Sequence, residues 1–166
     1  MKKLIIGLVA VLAIAGISAW QLGAGANAQS APDVTFTDLS GHKTTMQDLR
    51  GKVVLVKFWA TSCTTCIAQM PGTIAHYNDL SAKGFDTIAV AMQYDPPNYV
   101  VNFAETRKLP FKVAIDATGE LARAFGDVTL TPTAFLIDKQ GRIIKRYLGN
   151  YDETAFLTTV NKALAG

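Results

Sequence analysis

Both cysteines of this 166-residue chain lie in one short stretch, residues 58–66, which read FWATSCTTC. The run before it, residues 53–56, is apolar and β-branched, which is typical of a strand buried on both faces of a parallel sheet. After it, apolar residues recur at spacings of three and four, and Gly84 stands where a helix-ending glycine is expected. The sequence therefore predicts a strand, a turn that carries the cysteines, and a helix that begins near Cys63.

The position at a helix start gives Cys63 the properties of a nucleophile. Unpaired backbone N–H groups and the helix dipole stabilise an anion there, and they lower the pKa of a thiol below its free value of about 8.5. Cys66, three residues later, lies on the same helix face and can close a disulfide with Cys63 with little backbone movement. We interpret the pair as a redox-active disulfide in which Cys63 attacks.

Two other interpretations of the cysteine pair are less favoured. A structural disulfide usually joins distant segments, because a longer closed loop removes more entropy from the unfolded chain, and this loop is very short. A zinc site needs four ligands, and His42 and His76 are the only histidines available to complete it.

The N-terminal segment, residues 1–28, predicts export. Lys2 and Lys3 precede an unbroken apolar run at residues 4–20, whose length lies between a signal-peptide core and a membrane-spanning helix. Residues 26–28 read ANA and offer a cleavage site. The segment is therefore either a signal peptide or an N-terminal membrane anchor. Both alternatives place the rest of the chain outside the cytoplasm, in an oxidising compartment.

Composition predicts one globular domain at residues 33–166, preceded by a linker at residues 29–32. The chain is 49% hydrophobic and 17% charged, which suits a single sizeable core. Its formal charge is +3, of which Lys2 and Lys3 supply two. No basic patch in the sequence indicates a nucleic-acid partner.

Several motifs accompany the cysteine pair. They are FWA at 58–60, Pro71, Thr131-Pro132-Thr133, GKVVLV at 51–56, and FLID at 135–138 followed by Gly141. Together they resemble the thioredoxin superfamily and, within it, the TlpA/ResA-like branch of extracytoplasmic thiol-disulfide oxidoreductases. The resemblance covers about residues 33–165. It implies an α/β, thioredoxin-like fold: a central mixed sheet flanked by helices, with an N-terminal β-hairpin and a central α/β insert at residues 93–118.

The resemblance also implies an activity. Cys63 attacks the disulfide of a partner protein, a mixed disulfide forms, and Cys66 then releases the reduced partner. This exchange needs no cofactor. We expect a periplasmic or otherwise extracytoplasmic reductant whose partners are disulfide or dithiol proteins and a membrane thiol-disulfide electron donor. Cytochrome c maturation or the repair of secreted thiol proteins would be its task.

Further residues are expected to shape the site. The resemblance makes Pro132 a cis-proline opposite Cys63, with the backbone of Thr131 free to pair with an extended substrate. Trp59 is expected to pack beside the disulfide and to form an apolar rim. Thr64 and Thr65 fill the dipeptide that tunes the reduction potential. Because neither is a histidine, the dipeptide argues against a strongly oxidising enzyme.

Two positions depart from the pattern of the relatives. The TlpA/ResA branch has a glutamate three residues after its second cysteine, and this chain has Gln69. Thioredoxin has a buried aspartate six residues before its first cysteine, and this chain has Lys57. Either the Lys57 ammonium lies beneath Cys66, where it lowers the thiol pKa or accepts its proton, or Lys57 reaches solvent or an acid. His76 is expected on the surface or as a helix cap, and His42 in a solvated turn.

Two rival functions use the same cysteines. A peroxiredoxin-like thiol peroxidase needs a Pro-x-x-x-Thr-x-x-Cys arrangement, and no proline precedes Cys63 at that spacing. A copper-binding chaperone would coordinate the metal with Cys63 and Cys66, with Met70 or Met92 as further soft ligands.

Overall fold

The fold is described by a computed structural model for residues 29–166. The predicted signal peptide or anchor, residues 1–28, lies outside the described residues. The strands are β1 (Thr35–Thr37), β2 (Lys43–Thr45), β3 (Val53–Trp59), β4 (Phe85–Ala91), β5 (Lys112–Ile115), β6 (Thr133–Ile137) and β7 (Ile143–Leu148). The helices are α1 (Thr64–Leu80), α2 (Pro97–Thr106), α3 (Glu120–Ala124) and α4 (Glu153–Ala165).

The central sheet has the strand order β5-β4-β3-β6-β7. The pairs β3–β4 and β4–β5 are parallel, whereas β3–β6 and β6–β7 are antiparallel, so the sheet is mixed as predicted. Strands β1 and β2 form the predicted N-terminal hairpin as a separate antiparallel pair. Helix α2 and strand β5 make up the insert predicted at residues 93–118.

The middle strand, β3, is buried along its whole length, as its apolar sequence predicts. Alternate side chains point to opposite faces of the sheet. Val54, Val56 and Phe58 pack with the hairpin and α3 in one core cluster, where the Phe58 ring meets the edge of Phe125 at a centroid distance of 5.5 Å. The other face of β3 lies under α1 and α4 and carries Lys57.

The two ends of the sheet are different. Strands β3 and β4 finish at one end, and α1 begins there with the cysteines, so we call it the redox end. At the opposite end, the distal end, the chain enters the domain through the predicted linker. The Ile143 N–H donates to the Gln29 carbonyl at 2.8 Å, and the Ala31 N–H donates to the Gly141 carbonyl at 2.9 Å. Residues 29–31 are therefore attached to the β6–β7 turn, on the side away from Cys63.

None of the helices within residues 29–166 has the length and apolar character needed to cross a membrane.

The contact between α4 and the sheet predicts which substitution unfolds the domain. Phe156 is fully buried and packs against the rings of Tyr147 and Tyr151 at centroid distances of 5.6 and 5.2 Å. We expect Phe156→Ala to lower the free energy of unfolding by about 3–5 kcal/mol, because it removes a large side chain and leaves a cavity. Urea denaturation of the oxidised protein measures this loss. Leu148→Ala is the control, since Leu148 is 56% exposed; an equal loss in both variants would contradict the assignment of the core.

Candidate active site

The two cysteines meet at the start of α1, as the sequence predicts. Cys63 is the N-cap residue of this 17-residue helix, and its sulfur accepts a hydrogen bond from the Cys66 N–H at 3.2 Å. Cys63 and Cys66 form a disulfide. Cys63 is half-buried, whereas Cys66 has no exposed surface. A partner can therefore reach the first sulfur more easily than the second.

The turn before the cysteines is held by Asp95, a residue that the sequence analysis missed. Its carboxylate accepts hydrogen bonds from the Thr61 N–H, at 2.6 Å, and from the Thr61 hydroxyl. Asp95 is buried, and its own N–H donates to the Met92 carbonyl just after β4. An aspartate four residues after the end of a buried strand was the available signal, because the carboxyl ends of parallel strands meet at the same edge of a sheet.

Trp59 packs beside the cysteines but does not form the rim. Its indole is fully buried in the cluster that contains Cys66, at a centroid distance of 5.1 Å from the Phe103 ring. Trp59 therefore packs beside the cysteines as expected, but it contributes no exposed surface to an apolar rim. Exposed apolar surface at this end comes instead from Tyr94 and Leu130.

The Thr131–Pro132 bond is cis, which confirms the prediction from the resemblance. Pairing of Phe58 with Thr133 in the β3–β6 ladder puts Pro132 opposite the end of β3, where the cysteine turn begins. The Pro132 carbonyl accepts from the Gly149 N–H at 2.8 Å. Thr131 is half-buried, and its hydroxyl lies 3.2 Å from that of Tyr94.

Lys57 is fully buried, and its hydrogen-bond partners within residues 29–166 are neutral. Its ammonium donates to the Gln69 side-chain oxygen at 2.9 Å and to the Thr73 hydroxyl at 3.1 Å. Among the described residues it forms no salt bridge. Burial lowers the pKa of Lys57 from 10.5 to about 8. Of the two alternatives for Lys57, the one in which it reaches solvent or an acid is therefore wrong.

The Gln69 amide connects Lys57 to the turn between β7 and α4. Its nitrogen donates to the Gly149 carbonyl and to the Asn150 side-chain oxygen, both at 3.1 Å, which leaves its oxygen to face Lys57. A cleft of about 250 Å³ opens beside this amide. The cleft is lined by Ala68, Gln69, Gly72, Thr73, Asn150, Tyr151 and Glu153. Solvent can therefore approach the hydrogen-bond partners of Lys57.

His76 belongs to the same buried face of α1 as Cys66, Gln69 and Thr73, which precede it at helical spacing. It is 8% exposed and stacks on Phe156, so the expectation of a surface or capping histidine is wrong. Burial is the main cause that lowers the pKa of His76. The Glu153 carboxylate, 3.4 Å from its Nε2, opposes this effect.

The remaining predicted site residues contribute less. Thr64 is exposed and Thr65 is half-buried, and within residues 29–166 neither hydroxyl hydrogen-bonds to a sulfur. Met70 packs in the cluster that contains Cys66, but Met92 packs on the opposite face of the sheet. The two methionines of the copper-chaperone interpretation are thus not brought together.

Comparison with known proteins places this geometry among thiol-disulfide enzymes. Residues 26–164 match the Redoxin family. Thiol-disulfide oxidoreductase ResA of Bacillus thuringiensis subsp. konkukian is 38% identical over 122 residues, which are 73% of this chain and 69% of that protein. Among solved structures, a protein described as a thioredoxin from Neisseria meningitidis matches with a TM-score of 0.78 and 36% identity, covering 84% of this chain and 93% of that one.

A second solved structure agrees. A protein described as thiol:disulfide interchange protein DsbE from Chlorobium tepidum matches with a TM-score of 0.76 and 30% identity, over 82% of this chain and 96% of that one. The predicted thioredoxin-like fold and the predicted resemblance to ResA are both confirmed.

The burial of Lys57 predicts how stability changes with pH. The folded-state pKa of about 8 lies below the ordinary value of 10.5, so the unfolded chain binds more protons than the folded one between these values. The wild type should therefore gain stability as pH rises through this window, by roughly 3 kcal/mol in total. Lys57→Met removes the titrating group and its burial cost.

We accordingly expect Lys57→Met to be more stable than the wild type below about pH 8, with the difference shrinking toward pH 10.5. Urea denaturation of the oxidised proteins across this range measures it. Lys145→Met is the control, since Lys145 is exposed on β7 and should show no such trend. A difference between Lys57→Met and wild type that stays constant with pH would show that Lys57 keeps its ordinary pKa in the fold.

Proposed function

Because this chain belongs to the Redoxin family, we propose that it acts as a ResA-like reductant of protein disulfides outside the cytoplasm. The chain is a thiol-disulfide oxidoreductase, and Cys63 and Cys66 are the pair that carries out the exchange. The observation that carries the proposal is the contrast between the two sulfurs. Cys63 is half-exposed at a helix N-cap, and Cys66 is completely buried behind it.

The exchange proceeds in two steps. The Cys63 thiolate attacks one sulfur of the partner's disulfide, which forms a mixed disulfide and releases a partner thiolate that takes up a proton. Cys66 then gives up its proton and attacks the Cys63 sulfur. This second step breaks the mixed disulfide, releases the other partner thiol, and closes the Cys63–Cys66 disulfide. Two electrons pass from the protein to the partner.

The first step depends on the start of α1. As an N-cap residue, Cys63 accepts the Cys66 N–H, and the helix dipole adds a positive potential at its sulfur. The first turn of α1 contains no acidic residue to oppose this potential. The thiolate of Cys63 is therefore stabilised before the partner arrives.

The second step needs a group that takes the proton of the buried Cys66. Gln69 lies one turn after Cys66 on the inner face of α1, and Lys57 donates to it from β3. With a pKa of about 8, a fraction of Lys57 is neutral near physiological pH and can accept a proton. The cleft beside Gln69 and Thr73 brings solvent to the hydrogen-bond partners of Lys57. Lys57 thus takes the role of proton acceptor that a carboxylate would have in the TlpA/ResA branch and in thioredoxin.

Direction and compartment follow from different features. The Thr64-Thr65 dipeptide has no histidine to favour the reduced form strongly, which supports a reductant rather than an oxidant. The apolar run at residues 4–20 after two lysines supports export, with the run either removed or kept as an anchor. A membrane thiol-disulfide donor would re-reduce the pair. Maturation of cytochrome c or repair of secreted thiol proteins would use its electrons.

Trapping tests the assignment of the two cysteines. We expect Cys66→Ser to accumulate a mixed disulfide with a disulfide-containing peptide. Cys63 can still attack, but no second thiol is left to break the mixed disulfide. Cys63→Ser should accumulate little, since Cys66 is buried. Mass spectrometry of the quenched reaction measures both adducts. The opposite pattern would make Cys66 the attacking residue.

Two inexpensive assays separate the rival functions. A peroxidase would consume hydrogen peroxide at the same rate whether or not a disulfide substrate is present. A copper chaperone would retain copper through purification under reducing conditions. We expect neither result from this protein.

Gln69→Glu restores the acid of the TlpA/ResA pattern and tests the electrostatic part of the proposal. A carboxylate at this position would pair with the Lys57 ammonium and cancel its positive charge, one helical turn from Cys66. We expect the midpoint for alkylation of the reduced protein to move about one pH unit upward. Gln93→Glu is the matched control, because Gln93 is exposed. Equal alkylation curves for wild type and Gln69→Glu would mean that charge beneath Cys66 does not influence the thiols.

A further inference from the structure

Charge is unevenly distributed between the two ends of the domain. The distal end carries five basic residues, which we call the basic end: Arg50, Lys52, Lys139, Arg142 and Lys162. The exposed acids Glu120, Asp127, Asp152 and Glu153 lie on elements that begin at the redox end, where Arg123 is the exposed base. The molecule therefore has a positive end and a negative end.

Contacts show that the basic end is one continuous surface. The Arg50 guanidinium lies against Gly141, where it occupies the space that a Cβ would take. The Gly51 N–H donates to the Lys139 carbonyl at 2.9 Å. Arg142 and Lys162 border the same cleft of about 520 Å³. Arg50, Lys52 and Lys162 are exposed.

Two buried carboxylates at this end, with the exposed Asp48 and Asp79, neutralise only part of the charge. Asp138 binds Arg142 at 2.7 Å, and Asp86 is shared by Lys52, at 3.2 Å, and Lys112, at 3.0 Å. Arg50 and Lys162 form no salt bridge within residues 29–166. The basic end therefore keeps a positive excess that faces solvent.

The chain enters the domain at this same end, through Gln29–Ala31. Residues 21–28 join it to the apolar run, and eight residues span at most about 28 Å even when fully extended. A domain of this length has a radius of gyration of about 14 Å, and so measures roughly 37 Å across. The connection is shorter than the domain, so an anchored chain holds the basic end toward the bilayer.

We propose that the basic end rests on the anionic headgroups of the membrane that holds residues 4–20, with the redox end directed away from it. This inference rests on the anchored form of the proposed function. An anionic surface attracts the basic end and repels the acids of the redox end, so both charge groups favour one orientation. The half-exposed Cys63 then faces soluble partners. A donor in the same membrane would then have to reach Cys63 at the end of the domain that lies away from the bilayer.

Photo-crosslinking of the full, uncleaved chain in vesicles tests the orientation. A benzophenone amino acid replaces either Gln140, which is exposed beside the basic end, or Gln93, which is exposed at the redox end. Vesicles contain either phosphatidylcholine alone or phosphatidylcholine with phosphatidylglycerol. We expect lipid adducts mainly from position 140, more of them with phosphatidylglycerol, and fewer at high salt, because salt screens exposed charges.

Charge variants make the test specific. The double variant R50Q with K162Q removes two basic side chains. Each loss should lower the equilibrium constant for the membrane-facing orientation about fivefold. The control pair K145Q with R146Q removes two exposed charges from the middle of β7 and should change little. Equal lipid adducts from positions 140 and 93, or adducts that do not respond to phosphatidylglycerol, salt and R50Q with K162Q, would overturn the proposal. So would adducts to protein in place of lipid.

The two proposals can fail separately. Disulfide reduction by the same vesicles reports the exchange activity, and it does not depend on orientation. The mass of the protein purified from cells reports whether residues 1–28 are retained. The adducts of the uncleaved chain report the orientation in either case.

Discussion

The burial of a lysine ammonium beneath the redox helix is the constraint on which the site depends. Lys57 lies on a strand covered on both faces, where an isolated charge is costly. Gln69 and Thr73 satisfy two of its donors without neutralising it. The inner face of α1 must therefore be polar next to Cys66, and the Gln69 amide in turn anchors the turn after β7. A hydrophobic residue at position 57 would remove the need for all of these contacts.

The same helix gives the two cysteine sulfurs different accessibility and different surroundings. Its N-cap position leaves Cys63 accessible and lets its sulfur accept the Cys66 N–H, while its first turn buries Cys66 against the sheet, one turn before the Gln69 side chain that accepts from Lys57. The neighbouring segments hold this arrangement from two sides. Asp95 fixes the turn that precedes Cys63, and the cis Pro132 stands opposite the end of β3. The exchange chemistry is thus divided between an exposed attacking residue and a buried resolving residue.

Sequence patterns predicted the elements well, because β3 is uniformly apolar around Lys57 and α1 has helical periodicity. They predicted the environment of the side chains less well. Apolar spacing on α1 predicts an inner stripe of Ile67, Met70, Ile74, Tyr77 and Leu80. Met70 and Leu80 are buried, but the other three are half-buried, while the polar Thr73 and His76 are buried. Which face of α1 turns toward the sheet depends on the side chains that lie beneath the helix. The contacts of Lys57 with Gln69 join segments 12 residues apart, and those of Gln69 with Asn150 join segments 81 residues apart, so no local pattern contains them.

The most direct test of this account is the reduction potential of the wild type and of Lys57→Met, each equilibrated against glutathione at neutral pH. A buried ammonium favours the thiolate over the disulfide, so removing it should make the protein more reducing. We expect the wild type to lie nearer −270 mV than −120 mV, and Lys57→Met to be more negative by about 30 mV, which is a tenfold change in the equilibrium constant. Identical potentials, or a wild-type value near −120 mV, would contradict the account.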